Sequence, residues 1–188
     1  MQIKTFSFLA FLSATLLSAD SIGQTWYWTR QADSSSSQTA SQVAIDRNNN
    51  PVYTGYCMGT RMAFGNIGID LTGIQSDFLV KYNAAGNPLW ARSATALDAS
   101  VYVNGMSVAT DRNNDILESG YYSDSIAFGA FHLGNINAYN TYLVKYDGAG
   151  NVLWAVAPPF ISYPNYNYGV TADKRNNVYI TGYFSDTV

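Results

Sequence analysis

The sequence predicts an all-β protein built from consecutive copies of one unit. Composition is the first observation: fifteen Tyr and fifteen Gly stand beside a single Glu, Glu118, in 188 residues. Aromatic side chains suit a pleated surface, whereas Glu and Lys suit helices. The second is a run of short segments in β-forming residues, punctuated by Asn, Asp and Gly turns. The third is a repeat whose aspartates fall at Asp46, Asp111 and Asp173, spacings of about 62–65 residues. A hydrophobic share of 47% can build a core, which excludes wholesale disorder. Ten Lys and Arg against thirteen Asp and Glu give a net charge of −3, without the basic footprint of a nucleic-acid binder.

Residues 1–23 read as a secretory leader. Lys4 supplies the positive start, Phe6 to Leu17 the apolar stretch, and Ser21-Ile22-Gly23 the small residues before cleavage at Gln24. The apolar stretch is shorter than the ~20 residues a membrane helix needs, and no other segment is long enough. The lone Cys57 has no partner for an intrachain disulfide and sits in a strand-like run as a small hydrophobe. The expected destination is therefore secreted or at the cell surface.

The repeat region, 24–188, divides into a partial blade or closing strand at about 24–40, units at 41–105 and 106–168, and a truncated unit at 169–188. In each unit a segment ending in Asp (Ser41–Asp46 in the first) meets a second (Pro51–Cys57) across an Asn-rich turn. A second hairpin follows: Asp77–Tyr82 with Pro88–Arg92 around Asn83 to Gly86, repeated around Asp147 to Gly150. The Asn or Asp at the turn's first position bonds the backbone two residues on. Gly86 and Gly150 at its fourth take a left-handed conformation. Four antiparallel strands in about sixty residues make a propeller blade, so the chain holds about two and a half blades.

The blocks run Asp, Asn-rich turn, Val52-Tyr53-Thr54-Gly55-Tyr56, Phe64-Gly65, Asp77-Phe-Leu-Val-Lys81-Tyr82, then Gly86-Asn-Pro-Leu-Trp90. They return as Gly120-Tyr121, Phe128-Gly129, Thr141 to Tyr146 and Gly150 to Trp154, then as Asp173 to Gly182-Tyr183. This pattern resembles the seven-bladed β-propeller (SBBP) repeat of secreted bacterial proteins, from about Trp28 to the end. The resemblance implies a repeat array preceding adhesion-type modules and a sorting domain for surface export. The second unit departs from it with Leu117-Glu118-Ser119, and the third stops at Val188. The expectation is an N-terminal piece of a longer protein whose further blades complete the ring, Trp28 marking a clasping strand.

Recurrence at one phase marks Asp46, Asp111 and Asp173 as turn caps rather than acids. Asp46-x-Asn48-x-Asn50 imitates half a calcium loop, but its sixth position is Pro51 and its twelfth Cys57, so no cofactor is expected and calcium is the disfavoured alternative. Gly55, Gly120 and Gly182 lie inside strands and suit close backbone approach near the propeller centre. Trp28, Trp90 and Trp154 are structural repeats. Glu118 is expected on a solvent-facing strand position, with a channel-lining role as the alternative. His132 reads as a surface residue, and one His with one Cys cannot build a multi-histidine metal site. Tyr163, Tyr166 and Tyr168 form a patch for stacking on a sugar or anchoring a protein, weighed against inter-blade packing. The expected role is non-enzymatic binding, adhesion or scaffolding with a protein or glycan partner. The alternative is the propeller of a secreted hydrolase or lyase, with carboxyls such as Asp70 and Asp124 meeting in space.

Overall fold

A computed structural model describes residues 28–34, 37–134, 139–158 and 165–183. The leader and Tyr163 lie outside the described residues. Those described form strands and turns with no helix. The chain starts with β1 (Asp33–Ser34), β2 (Gln38–Ile45), β3 (Pro51–Met58), β4 (Arg61–Phe64), β5 (Ile67–Asp70), β6 (Gln75–Tyr82), β7 (Pro88–Arg92) and β8 (Thr95–Ala96). The pattern returns as β9 (Val103–Thr110), β10 (Ile116–Ser123), β11 (Ile126–Phe128), β12 (Phe131–Leu133), β13 (Tyr139–Tyr146) and β14 (Val152–Val156). The last two strands are β15 (Tyr166–Ala172) and β16 (Val178–Tyr183).

Two four-stranded antiparallel sheets, β2-β3-β6-β7 and β9-β10-β13-β14, are the predicted blades, and β15-β16 is the inner half of a third. In all three the first strand begins three residues before the repeat read from sequence, at Gln38, Val103 and Tyr166. Its neighbour's Gly sits opposite a bulge. The register shifts between Ala40 and Gln42, at Ser119/Gly120 and between Asn167 and Gly169. The close approach is thus to the adjacent strand of the same sheet. A Cβ on Gly55, Gly120 or Gly182 would stand 2.1, 1.9 or 2.1 Å from the carbonyl oxygen of Thr39, Asn104 or Tyr166.

Among the described residues, the first two units each also carry a satellite absent from the sequence reading. The hairpin β4-β5 takes β1 as a third strand, and β11-β12 takes β8. Since β1 and β8 precede the blades whose hairpins they join, the chain sews each unit to the next before its inner strand begins. Trp28 itself is not in a strand.

Inner strands β2, β9 and β15 lie side by side, and the blades stack face to face. The larger core fills the seam between the first two, with Val52 and Leu79 of one against Tyr122, Phe128, Tyr142 and Tyr146 of the other. Strands with both faces covered do not alternate in burial, which is why every residue of β6 is buried.

Candidate functional site

Four recurrent constructions tie the blades and their turns together. The first is the aspartate turn. Asp46 Oδ1 accepts the backbone N–H groups of Asn48 and Asn50 at 2.8 and 2.9 Å. Asp111 does so from Asn113 and Asp115, and Asp173 from Arg175 and Asn177. The turn's Asn49, Asn114 and Asn176 adopt positive φ, a region Asn tolerates better than most residues.

The second was not read from the sequence. Lys81 Nζ lies 2.9 Å from Asp46 Oδ2 with both side chains buried, and Lys145 Nζ lies 2.8 Å from Asp111 Oδ2. Burial alone would raise the Asp46 carboxyl, but the Lys81 ammonium and the Asn50 and Asn48 donors outweigh it and hold the group below its ordinary range. Both Asp46 oxygens are therefore engaged by donors. Among the described residues no group of three His, Cys, Asp or Glu side chains could hold a metal ion.

The third is a tryptophan staple. Trp28 Nε1 donates to Ala84 O at 3.1 Å and Arg30 Nε to Gly86 O at 2.7 Å. Trp90 and Arg92 repeat this on Gly148 and Gly150 at 3.1 and 2.8 Å. Gly86 and Gly150 have φ of 79° and 83°, and a Cβ on either would stand within 3 Å of the indole. Trp154 is half-buried on β14.

The fourth runs along the inner strands. Gln42 Oε1 accepts the N–H of Val108 at 2.9 Å, and Ser107 Oγ accepts that of Val170 at 2.9 Å. At the turns, Asn114 and Asn176 Oδ1 accept the N–H groups of Arg47 and Arg112 at 3.0 and 3.2 Å. The two seams among the described residues thus repeat the same bonds.

Two features do not recur, and both involve residues the sequence raised. Glu118 is not solvent-facing. It is fully buried in the first seam, because the neighbouring blade covers the face a lone sheet would expose. Thr54 of the first blade donates to its Oε1 at 2.5 Å, and the Tyr146 hydroxyl approaches Oε2 at 3.4 Å. Asp77, equally buried, accepts from the Ala94 N–H at 2.8 Å and the Ser93 hydroxyl at 3.1 Å, with Tyr142 OH at 3.5 Å. Burial pushes Asp77 up to about 6, and burial together with Asp77 pushes Glu118 well up.

Below the ordinary carboxyl pKa of about 4, native and unfolded chains both hold the Asp77 proton. Between there and about 6 the native state binds more protons, so stability falls as pH rises. The melting temperature is expected to be higher at pH 5 than at pH 8. Glu118→Gln, which keeps hydrogen-bonding atoms without ionising, is expected to reduce the difference. A melting temperature that rises across this range in the unmodified chain would refute the assignment.

The other candidate acids do not join this pair. Asp70 forms an exposed ion pair with Arg61 at 3.1 Å, and Asp124 sits exposed in a turn where its Oδ1 accepts from the Ser125 hydroxyl. His132 lies exposed on β12.

The second non-recurring feature is aromatic. Tyr166 meets Tyr121 at a centroid distance of 5.0 Å, edge to face, and Tyr139 at 5.9 Å, while Tyr121 and Tyr139 lie 5.9 Å apart. The triad draws on β10, β13 and β15, so it spans the second and third blades. Tyr168 is 60% exposed. Burial raises the Tyr121 phenol above its ordinary pKa, and Tyr56, Tyr166, Tyr139 and Tyr168 push it further. The structure thus brings Tyr166 together with two tyrosines that the linker alone did not suggest. Tyr121 was visible as part of the recurring Gly-Tyr pair, but nothing in the sequence singled out Tyr139.

No family model matches the chain. It is similar to a WD repeat-containing protein of Acanthamoeba polyphaga mimivirus, 30% identical over a 165-residue alignment that covers 76% of this chain and 11% of the relative. The chain is a β-propeller-type repeat protein. It spans about a tenth of the length of that relative. The tyrosine triad is then a feature of the propeller's blade junction, held at strand ends by rigid sheets. No helix among the described residues is long and apolar enough to cross a membrane.

Proposed function

We propose that this chain is part of a secreted, surface-exposed propeller of the SBBP type from a bacterium, working as a non-enzymatic binding and structural scaffold. Its partner is a protein or glycan bound at the tyrosine face, and further blades of its own longer chain complete the ring. One observation carries the binding reading: Tyr121, Tyr139 and Tyr166 converge from separate strands while Tyr168 stands open to solvent. Rigid aromatic side chains offer large contact area at small entropic cost. The leader at 1–23 supports export. The relative's WD repeats support a scaffold role. A cleft of about 450 Å³ against the first blade, lined by Trp28, Tyr53, Phe64, Phe78 and Tyr82, supports further blades. In the second unit the equivalent surface is covered by the first.

Chemistry within these blades has weaker support. Of the acidic residues that approach one another, Asp77 and Glu118 are fully buried, Asp111 and Asp115 share the Lys145 ammonium, and the described cavities are lined by other residues. The test is direct. The chain with its leader is expected to reach the medium of a bacterial host without residues 1–23, as read by mass spectrometry. The processed chain should coat whole bacterial cells. Replacing Tyr166 and Tyr168 by alanine should lower coating about tenfold or more with an unchanged β-sheet spectrum. Equal coating by the double variant, or turnover of a polysaccharide abolished by Glu118→Gln, would overturn the reading.

A further inference from the structure

Arg92 stands apart among the cations of the described residues. Every other Lys or Arg there is either exposed or, like Lys81 and Lys145, paired with a carboxylate. Arg92 is half-buried and forms no ion pair within the described residues. A guanidinium carries five N–H donors. Arg92 Nε donates to Gly150 O and Nη1 to Ala91 O, each at 2.8 Å, and no described residue accepts from Nη2. The Trp90 ring, with its centroid 5.6 Å from Cζ, adds a cation–π contact. Carbonyls and a ring supply partial charges only. The full positive charge is left without a counter-ion, in a place where partial burial makes one valuable.

The same side chain lines a cavity of about 330 Å³ between the first two units. The first unit contributes Arg92 and Ser93. The second contributes Phe128 and Phe131 from the β11-β12 hairpin, with Tyr146 of β13 and Val152 of β14. Phe131 and Val152 are half-buried and form the accessible apolar wall, whereas Phe128 and Tyr146 are themselves buried. A volume of this size lies at the small end of ligand sites, about 300–1,000 Å³. The cavity is separate from the tyrosine triad. Tyr139 and Tyr146 are the two ends of β13, whose eight residues at about 3.3 Å each hold them roughly 23 Å apart.

We propose that this cavity binds a carboxylate carried on a small apolar body, with Arg92 holding the charge and Phe131 and Val152 the body. The site is independent of the tyrosine face. Charge balance selects the carboxylate, since one unpaired cation matches one negative charge. With Nε occupied, Nη1 and Nη2 remain as the fork that two carboxylate oxygens can meet. The wall selects the body, because only an apolar group gains by covering Phe131 and Val152. A nucleic acid or an acidic polysaccharide needs a row of cations, and Arg92 is the one cation lining this cavity. The same chemistry occurs in a free aryl or alkyl acid and at the C-terminus of a peptide ending in an apolar residue.

Titration calorimetry of the purified full chain with phenylacetate and with phenylacetamide compares a charged and an uncharged ligand of one shape. Phenylacetate is expected to bind at one site per chain, about tenfold or more tighter than the amide. Both ligands meet the same unaltered protein, so no folding defect can imitate the difference. Arg92→Gln should bring the acid down to the level of the amide. Phe131→Ala keeps the cation, and should weaken the acid about tenfold while its preference over the amide persists. N-acetyl-Gly-Gly-Phe with a free C-terminus, set against its C-terminal amide, separates the two sources. A free-terminus peptide that binds tighter than phenylacetate assigns the site to a peptide end, and one that binds more weakly assigns it to a free acid. Equal affinity for acid and amide, acetate binding as tightly as phenylacetate, an acid preference that survives Arg92→Gln, or no binding of any of these acids would overturn the site.

Discussion

Lys81→Met is expected to lower unfolding free energy by about 3–5 kcal/mol, the range for removing one member of a buried ion pair. The Lys81 ammonium stands 2.9 Å from Asp46 Oδ2, and the two side chains are 4% and 0% exposed. Methionine fills the volume of the lysine stem but leaves Asp46 ionised with only its turn donors. The same ammonium also reaches Gly148 O of the next blade at 3.4 Å, so the first seam loosens with the pair. Replacing both partners, Lys81→Met with Asp46→Asn, should recover much of the loss, since Asn keeps a side-chain oxygen for the N–H groups of Asn48 and Asn50. Urea denaturation of the parent and the two variants decides it. A single variant within about 0.5 kcal/mol of the parent would show that the pair contributes nothing. Acid acts in the same direction: Asp46 is held below its ordinary pKa, so the stability it supplies is present at neutral pH and lost as pH falls through that lowered value.

Gly120→Val should be equally severe, on the order of 3–4 kcal/mol, and for a steric reason. The first atom of any side chain there would lie 1.9 Å from the Asn104 carbonyl oxygen and 2.8 Å from a ring carbon of Tyr142. Backbone cannot withdraw as a flexible side chain can. The bulge at Ser119/Gly120 would have to flatten, and the inner strand would lose register with its neighbour. Gly134→Ala is the control, since its new methyl would meet nothing nearer than 3.9 Å. It should change stability by less than about 0.5 kcal/mol. Equal melting temperatures for the two variants would refute the close-approach account.

The repeating parts of this molecule were open to reading from one sequence. A residue returning at a fixed phase beside Asn-rich turns has few roles other than a cap, and Asp46, Asp111 and Asp173 each accept two turn N–H groups. Gly86 and Gly150 likewise announced positive φ through their turn chemistry. What sequence concealed was the burial of both sheet faces. A period of two separates one face of a strand from the other, but in stacked blades neither face is solvent. Glu118, expected at a solvent-facing strand position, lies wholly inside. The lysine of the Leu-Val-Lys-Tyr block escaped notice because its partner is a turn residue 35 positions earlier in the first unit. The second unit has Thr141, Ala157 and Pro158 where the first has Asp77, Ser93 and Ala94, an exchange visible on laying one unit over the next.

The seam bonds have a direction. At the inner strands the earlier unit supplies the acceptor, Gln42 or Ser107, and the later one the N–H. At the turns the later unit supplies the acceptor, Asn114 or Asn176, and the earlier one the N–H. A unit therefore presents two different faces, one matched only to its predecessor and the other only to its successor. Turned end for end, it would set donor against donor and acceptor against acceptor along both lines. Duplicating a unit in tandem preserves every such match, so an array of this kind can lengthen by copying without designing a new interface. A private pair such as Thr54 and Glu118 is then what gives one junction an identity of its own, and shuffling the order of units would separate its members first.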